Sequence, residues 1–381
     1  MQLSPVLAGT GVYPFVRLDQ AKRRLAAEGV ELIDFGKGDP REPTPELVRQ
    51  ALVDGLEETS SYPLAEGLPE LRAALAGWCG RRFGVSLDPE TEVIPTYGSK
   101  EAIFTLAQLV VDPHSERRLV LITEPGYPVY DRGARFAGAE VQALPLLEEH
   151  GFLPDLDVVG DETWRRTAIL WLNYPNNPTG AVAPLELFVR AAELAREHDF
   201  LLASDEAYTE LWFEGPPHSA LEAGLDHVAV FNTLSKRSSM TGYRSGFVAG
   251  SAELIAALKQ YRPSVGTAPQ EFVQRASVAA WGDEQHVERT REVYREKRGV
   301  LLDVLERKGV RSAGGPATMY LWLEAPAGET ADELSERLLE HGLIVSPGTF
   351  FGPSGGGYWR MALVPTIEEC KRAASILDEA L

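Results

Sequence analysis

The chain has 381 residues, 44% hydrophobic and 24% charged, and its 37 lysines and arginines against 56 aspartates and glutamates leave a net charge of −19. That length predicts about two domains, and that charge excludes a general attraction for nucleic acid or anionic membranes, so any bound anion must be held by local geometry. No run approaches 18 apolar residues, the N-terminus lacks a basic stretch before an apolar one, and Cys79 and Cys370 form no CxxC; a membrane span, a signal peptide, a disulfide framework and a zinc site drop out, and a reducing, cytoplasmic setting is expected.

In chain order, "LAAEGVELIDFGKGDP" (25–40) reads as a segment that packs against the C-terminal part. "IPTYGSKEA" (94–102) runs from a strand into a helix over 100–111. "RLVLITE" (118–124), "TAILWLN" (167–173), "FLLASDE" (200–206), "HVAVFNTLS" (227–235) and "SGFVAG" (245–250) read as buried strands, with a helix over 184–198 among them. Short apolar runs rich in β-branched and aromatic residues suit a largely parallel sheet, and their alternation with helices predicts an α/β layered domain. The texture changes after about residue 270. A long amphipathic helix over 285–309 is followed by a strand (318–325), a helix (330–342), a strand (358–364) and a helix (366–381). The expected division is a large domain over 46–275 and a smaller α+β domain from 1–45 and 276–381.

Open α/β sheets bind ligands beyond the carboxyl ends of their strands. The polar residues predicted there are Asn176 and Asn177, Asp205 and Tyr208, Thr233, Ser235 and Lys236, and Gly98, Ser99 and Lys100 at a strand-to-helix junction. Alone, each motif reads as a turn or a helix cap. Together, at successive strand ends, they describe one site. Glycine at a helix N-terminus lets an anion approach the backbone N–H groups, which supports Gly98, Ser99 and Lys100 as phosphate ligands. A guanidinium with paired donors, Arg244, and the hydroxyls of Thr233 and Ser235 complete such a shell. Lys236 is then left over, and a lysine among other cations has a lowered pKa and attacks carbonyls more readily. Asp205, at a neighbouring strand end, is the carboxylate that a pyridine nitrogen needs to stay protonated.

With "SYPLAEGLPELRAALA" (61–76), "YGSKEA" (97–102), "EPGYPVY" (124–130), "NYPNNPTG" (173–180), "SDEAY" (204–208) and "LSKRSSMTGYRSGF" (234–247), the chain resembles the fold-type I pyridoxal-phosphate aminotransferases over nearly its whole length. The resemblance implies pyridoxal 5′-phosphate as cofactor, bonded to Lys236, which also moves the substrate α-proton. It implies Asp205 on the ring nitrogen, Tyr208 and Asn177 on the ring oxygen, and Tyr127 stacked on the ring. Gly98, Ser99, Lys100, Thr233, Ser235 and Arg244 would hold the phosphate, joined by Tyr62 from the other subunit of a homodimer. Arg360 would grip the substrate α-carboxylate, with Asn177 and the backbone at Gly38. The partners implied are small amino and 2-oxo acids.

Within that family the C-terminal third and the lysine loop, including Arg237, are similar to the succinyldiaminopimelate transaminases. This implies N-succinyl-LL-diaminopimelate and 2-oxoglutarate as substrates in lysine biosynthesis. The alternatives are LL-diaminopimelate, aspartate, alanine or aromatic transaminases, a lyase on the same fold, and a non-catalytic regulator. A distal carboxylate needs a second cation; Lys100, Lys37, Arg41, Arg17 and Arg262 are candidates.

Overall fold

A computed structural model describes residues 1, 3–9, 22–25, 27, 29–59 and 61–381. Its strands, in chain order, are β1 (Ile33–Asp34), β2 (Val93–Thr96), β3 (Leu119–Glu124), β4 (Glu140–Pro145), β5 (Thr167–Asn173), β6 (Leu201–Asp205), β7 (Val228–Thr233), β8 (Gly246–Gly250), β9 (Tyr320–Glu324), β10 (Leu343–Ile344), β11 (Ser346–Pro347) and β12 (Tyr358–Ala362). Seven of them form one sheet in the order β2-β8-β7-β6-β5-β3-β4. β3 to β7 run parallel, and β8 opposes both β7 and β2. The expected α/β architecture with a mostly parallel sheet is what forms.

The strands follow from composition. Every residue of β5 and β7 is buried, as both faces of a parallel sheet are covered by helices. β4 has exposed positions and no apolar run, so periodicity gave no sign of it. One core lies under helices Pro69–Phe83 and Leu185–His198, and a second lies on the other face, under helix Ser99–Val110.

A third core joins β9, β12 and helices Gln285–Arg307, Ala331–Glu340 and Ile367–Ala380. The last two helices begin with capping boxes, Thr330 with Glu333 and Thr366 with Glu369. β1 pairs with β10, which brings the N-terminal segment into this unit. Position 275 falls inside helix Glu271–Gly282, whose Ala276, Ala280 and Trp281 belong to the core of the large sheet. Cys79 and Cys370 are both buried. No described helix is long and apolar enough to cross a membrane.

Candidate active site

The loops at the carboxyl ends of β5, β6 and β7 open onto a cavity of about 380 Å³, within the usual range for small-molecule sites. Most expected residues meet in its wall. Asn173 and Asn177 end or follow β5, Asp205 and Tyr208 end or follow β6, and Thr233, Ser235 and Lys236 end or follow β7. Thr241 and Arg244 precede β8, Ser99 and Lys100 open helix Ser99–Val110, and Tyr127 closes one side. Lys37, Gly38, Asp39, Tyr320, Phe351 and Arg360 complete the wall from the small-sheet side.

The lysine loop is shaped by its own hydroxyls. Thr233 ends β7 and caps the turn Leu234–Arg237 by accepting the Ser235 N–H at 3.1 Å; its hydroxyl also lies 3.0 Å from Ser245 O. The Thr233 oxygen is therefore committed to the loop while still facing the cavity. Lys236 emerges from this turn and donates its ammonium to Gly38 O. Arg244 adopts the left-handed conformation and donates to Thr241 O at 2.8 Å. Gly98 lies behind Arg244 rather than in the wall: a Cβ there would sit 2.3 Å from the Arg244 Nη2, and its φ is +72°. Only glycine permits that approach.

Burial tunes the charges. Desolvation lowers the Lys236 amine to about 8, reinforced by Arg360 and Arg244 and opposed by Asp39 and Asp205. Desolvation raises Asp205 to about 6, while hydrogen bonds from Tyr130 and the Ala207 N–H hold it down. Burial pushes the Tyr208 phenol well up, and neighbouring Tyr320 pushes it further. Lys100, at the rim, is lowered by partial desolvation and then by Arg244 and Arg132.

Arg360 is not a strand-edge arginine. It sits on β12, the middle strand of β11-β12-β9, and is 2% exposed. It donates to Asn177 Oδ1 at 2.8 Å and to Gly36 O at 2.7 Å, and packs on the rings of Tyr320 and Phe351. The backbone oxygen that holds it is that of Gly36. Gly38 lines the cavity and faces Tyr320, whose Oη would lie 2.0 Å from a Cβ at that position.

Several residues fall elsewhere. Tyr62 is fully exposed and outside this cavity. Asn176 is taken up by its own turn, bonding Asn173 O and Thr179. Arg237 is buried on the far side, on Trp281 and Glu284. Arg41 pairs with Glu369, Arg262 with Glu101, and Arg17 lies outside the described residues. Of the distal-cation candidates, Lys37 and Lys100 line the cavity.

Sequence reasoning did not name Asp39, Asn173, Ala207, Thr241, Tyr320 or Phe351 of the wall, nor Tyr130 behind it. Tyr130 donates to Asp205 Oδ2 at 2.7 Å and stacks on Trp171; its one signal was its place three residues after Tyr127, one helical turn on. Asn173 bonds Asp205 O and the Asn177 N–H, tying two strand ends together. Tyr320 lies 2.9 Å from the Tyr208 Oη, and Phe351 lies over Arg360. The last two come from remote segments and carried no local signal.

A desolvated amine, a buried carboxylate and an arginine beside a helix N-terminus line one cavity of an α/β fold, a set of groups suited to a phosphorylated carbonyl compound. The model of the class I and II aminotransferases matches residues 30–377, and the chain belongs to that family. It is 38% identical to LL-diaminopimelate aminotransferase 2 of Nostoc sp. (strain PCC 7120), covering 100% of this chain and 99% of that protein. Among solved structures it is similar to a single mutant of Thermus thermophilus aspartate aminotransferase (TM-score 0.93, 33% identity, 100% of both chains). It is also similar to a probable N-succinyldiaminopimelate aminotransferase of Thermus thermophilus (TM-score 0.88, 36% identity, 96% of this chain and 100% of the other). The enzymes of this family work with pyridoxal 5′-phosphate. The cavity fits that cofactor: the left-handed Gly98 makes room for Arg244 at the anion end, and Asp205 and Lys236 present opposite charges further in.

Proposed function

We propose that this aminotransferase acts on diaminopimelate, exchanging its amino group with the 2-oxoglutarate/glutamate pair, and that free LL-diaminopimelate is the donor. One observation carries the choice. On the same side of the cavity as Arg360, the wall also carries one cation and one acid, Lys37 and Asp39. A distal amino acid bears both a carboxylate and an ammonium, and this pairing of charges complements both. The name of the Nostoc relative supports the same reading. The second reading, N-succinyl-LL-diaminopimelate, is favoured by the 36% identity to the Thermus protein.

In this reading Ser99, Lys100, Ser235 and Arg244 would hold the phosphate, Thr233 would shape their loop, and Tyr127 would cover the ring. Asp205 would pair with the ring nitrogen, and Tyr208 and Asn177 with the ring oxygen. When bound, the cofactor supplies a carbonyl that takes up the amino group and a ring that draws in the electron pair left by the α-proton. Arg360 binds the substrate α-carboxylate and so orients the Cα–H bond. Lys236 would be displaced by the incoming amine. Its lowered pKa then suits it to remove the α-proton as a base and to return it as an acid. Asp205, kept ionised by Tyr130 and the Ala207 N–H, stabilises positive charge beside it. The exposed Tyr62 would reach the phosphate of a second copy in a homodimer. A monomer by sedimentation at micromolar concentration, with full activity, would sink that part.

The deciding experiment follows the visible absorbance of the loaded protein as each amino donor is added. Free LL-diaminopimelate and glutamate are expected to bleach the band, and the N-succinyl compound is not. Bleaching by the N-succinyl compound and glutamate alone selects the second reading. Bleaching by glutamate alone removes both substrates.

A further inference from the structure

We propose that Glu42, Tyr294 and Lys297 form a positioning cluster that fixes the Gly36–Asp39 segment at the carboxylate end of the cavity. The inference rests on the reading that Arg360 binds the substrate α-carboxylate. Helix Gln285–Arg307 turns a buried stripe inward that includes Tyr294, Leu301, Val304 and Leu305. Lys297 lies in that stripe, with its side chain 1% exposed. A lysine so deep in an apolar row needs a specific partner, because burying its charge alone is very costly.

It has two. The Lys297 ammonium donates to Glu42 Oε1 and, at 3.2 Å, to Leu363 O. Tyr294 Oη donates to Glu42 Oε2 at 2.8 Å, so both carboxylate oxygens are held. Leu363 lies three residues after Arg360, just past the end of β12. Glu42 lies six residues after Gly36, whose carbonyl accepts from Arg360 at 2.7 Å and from Ser346 Oγ at 2.8 Å. Gly38 O, between them, accepts from Lys236. Lys297 therefore ties the chain that presents Gly36 and Gly38 to the chain that presents Arg360. None of the three residues lines the cavity, so their effect on substrate passes through that segment.

A buried ion pair is weak evidence of a stabilising role: deleting one partner destabilises strongly, while replacing both by neutral groups is often harmless to stability. That asymmetry gives the test. The variants are Glu42→Gln, Lys297→Met, the double variant and Arg360→Met. The probe is maleate, a dicarboxylate with no amino group to react. Maleate affinity is read from the visible band of the loaded enzyme. Cofactor affinity, the thermal midpoint and amide exchange of residues 36–41 in cofactor-free protein are measured beside it.

Maleate binding is expected to weaken roughly tenfold in both single variants and in the double variant, as for other misplacements remote from the ligand. Cofactor affinity should stay at the parent value, and amides 36–41 should exchange faster. The double variant should melt near the parent. Parent-like maleate binding in a stable double variant overturns the inference. Should a single variant fail to fold, the double variant decides. If Arg360→Met also binds maleate like the parent, the carboxylate-end reading falls and the cluster with it. If Arg360→Met is weakened and the cluster variants are not, the cluster alone is wrong.

Discussion

The two ends of the cavity are built differently. The cofactor end comes from strand ends of one sheet: Ser99, Asp205, Ser235, Lys236 and Arg244 lie within a few residues of β2, β6, β7 or β8. The carboxylate end is assembled from an N-terminal segment, β9, a helical turn at Gly348–Phe351 and β12. Between Gly38 and Arg360 lie more than three hundred residues of chain. The first end is a property of one sheet; the second exists only when distant segments meet. Chemistry should therefore depend on the first and substrate selection on the second, and variants should separate along that line.

The largest effect belongs to Lys236→Ala. Transamination is expected to vanish while cofactor stays bound through the phosphate contacts, as measured by turnover and by dialysis against absorbance. Near-parent turnover would break the comparison at its root. Next comes Asp205→Ala. The rate should fall by roughly 10²-fold or more, since positioned charge stabilisation is worth several kcal/mol, while maleate affinity is unchanged. A loss of maleate binding of similar size would mean that the two ends are not separable. The smallest effect is expected from Tyr130→Phe. The Tyr130 hydrogen bond holds the Asp205 carboxyl down, so its loss raises that pKa. The ionised carboxylate is then present only at higher pH, so the acid limb of the rate–pH profile should move upward with KM nearly constant. An unmoved limb would assign Tyr130 to packing on Trp171 alone.

The same contrast explains what could be read from sequence. The strands around the site announce themselves as apolar runs, and β5 begins and ends where the run "TAILWLN" does. Asp205, Lys236 and Arg244 were legible because each lies beside such a run within a short motif. Tyr320 and Phe351 were not, because what makes them part of the site is their packing on Arg360, a contact between remote segments. Lys297 was hidden for the opposite reason. On a helix rich in charge it reads as one more solvated lysine, and only its burial against Glu42 distinguishes it. Arg237 shows the reverse: it stands next to Lys236 in sequence, yet one residue further along a turn points to the other side.

The reversal of β8 has a consequence for how the site comes together. Thr233 of β7 pairs with Gly246 of β8, and residues 234–245 make the whole excursion between them. A parallel neighbour would have required a crossover through a further helix. Here the chain closes a short local loop, at small entropic cost, and that loop holds both Lys236 and Arg244. Contacts so close in sequence form early and fast. The amine and the anion grip should thus be in register as soon as this hairpin exists, before the distant halves of the carboxylate end have met.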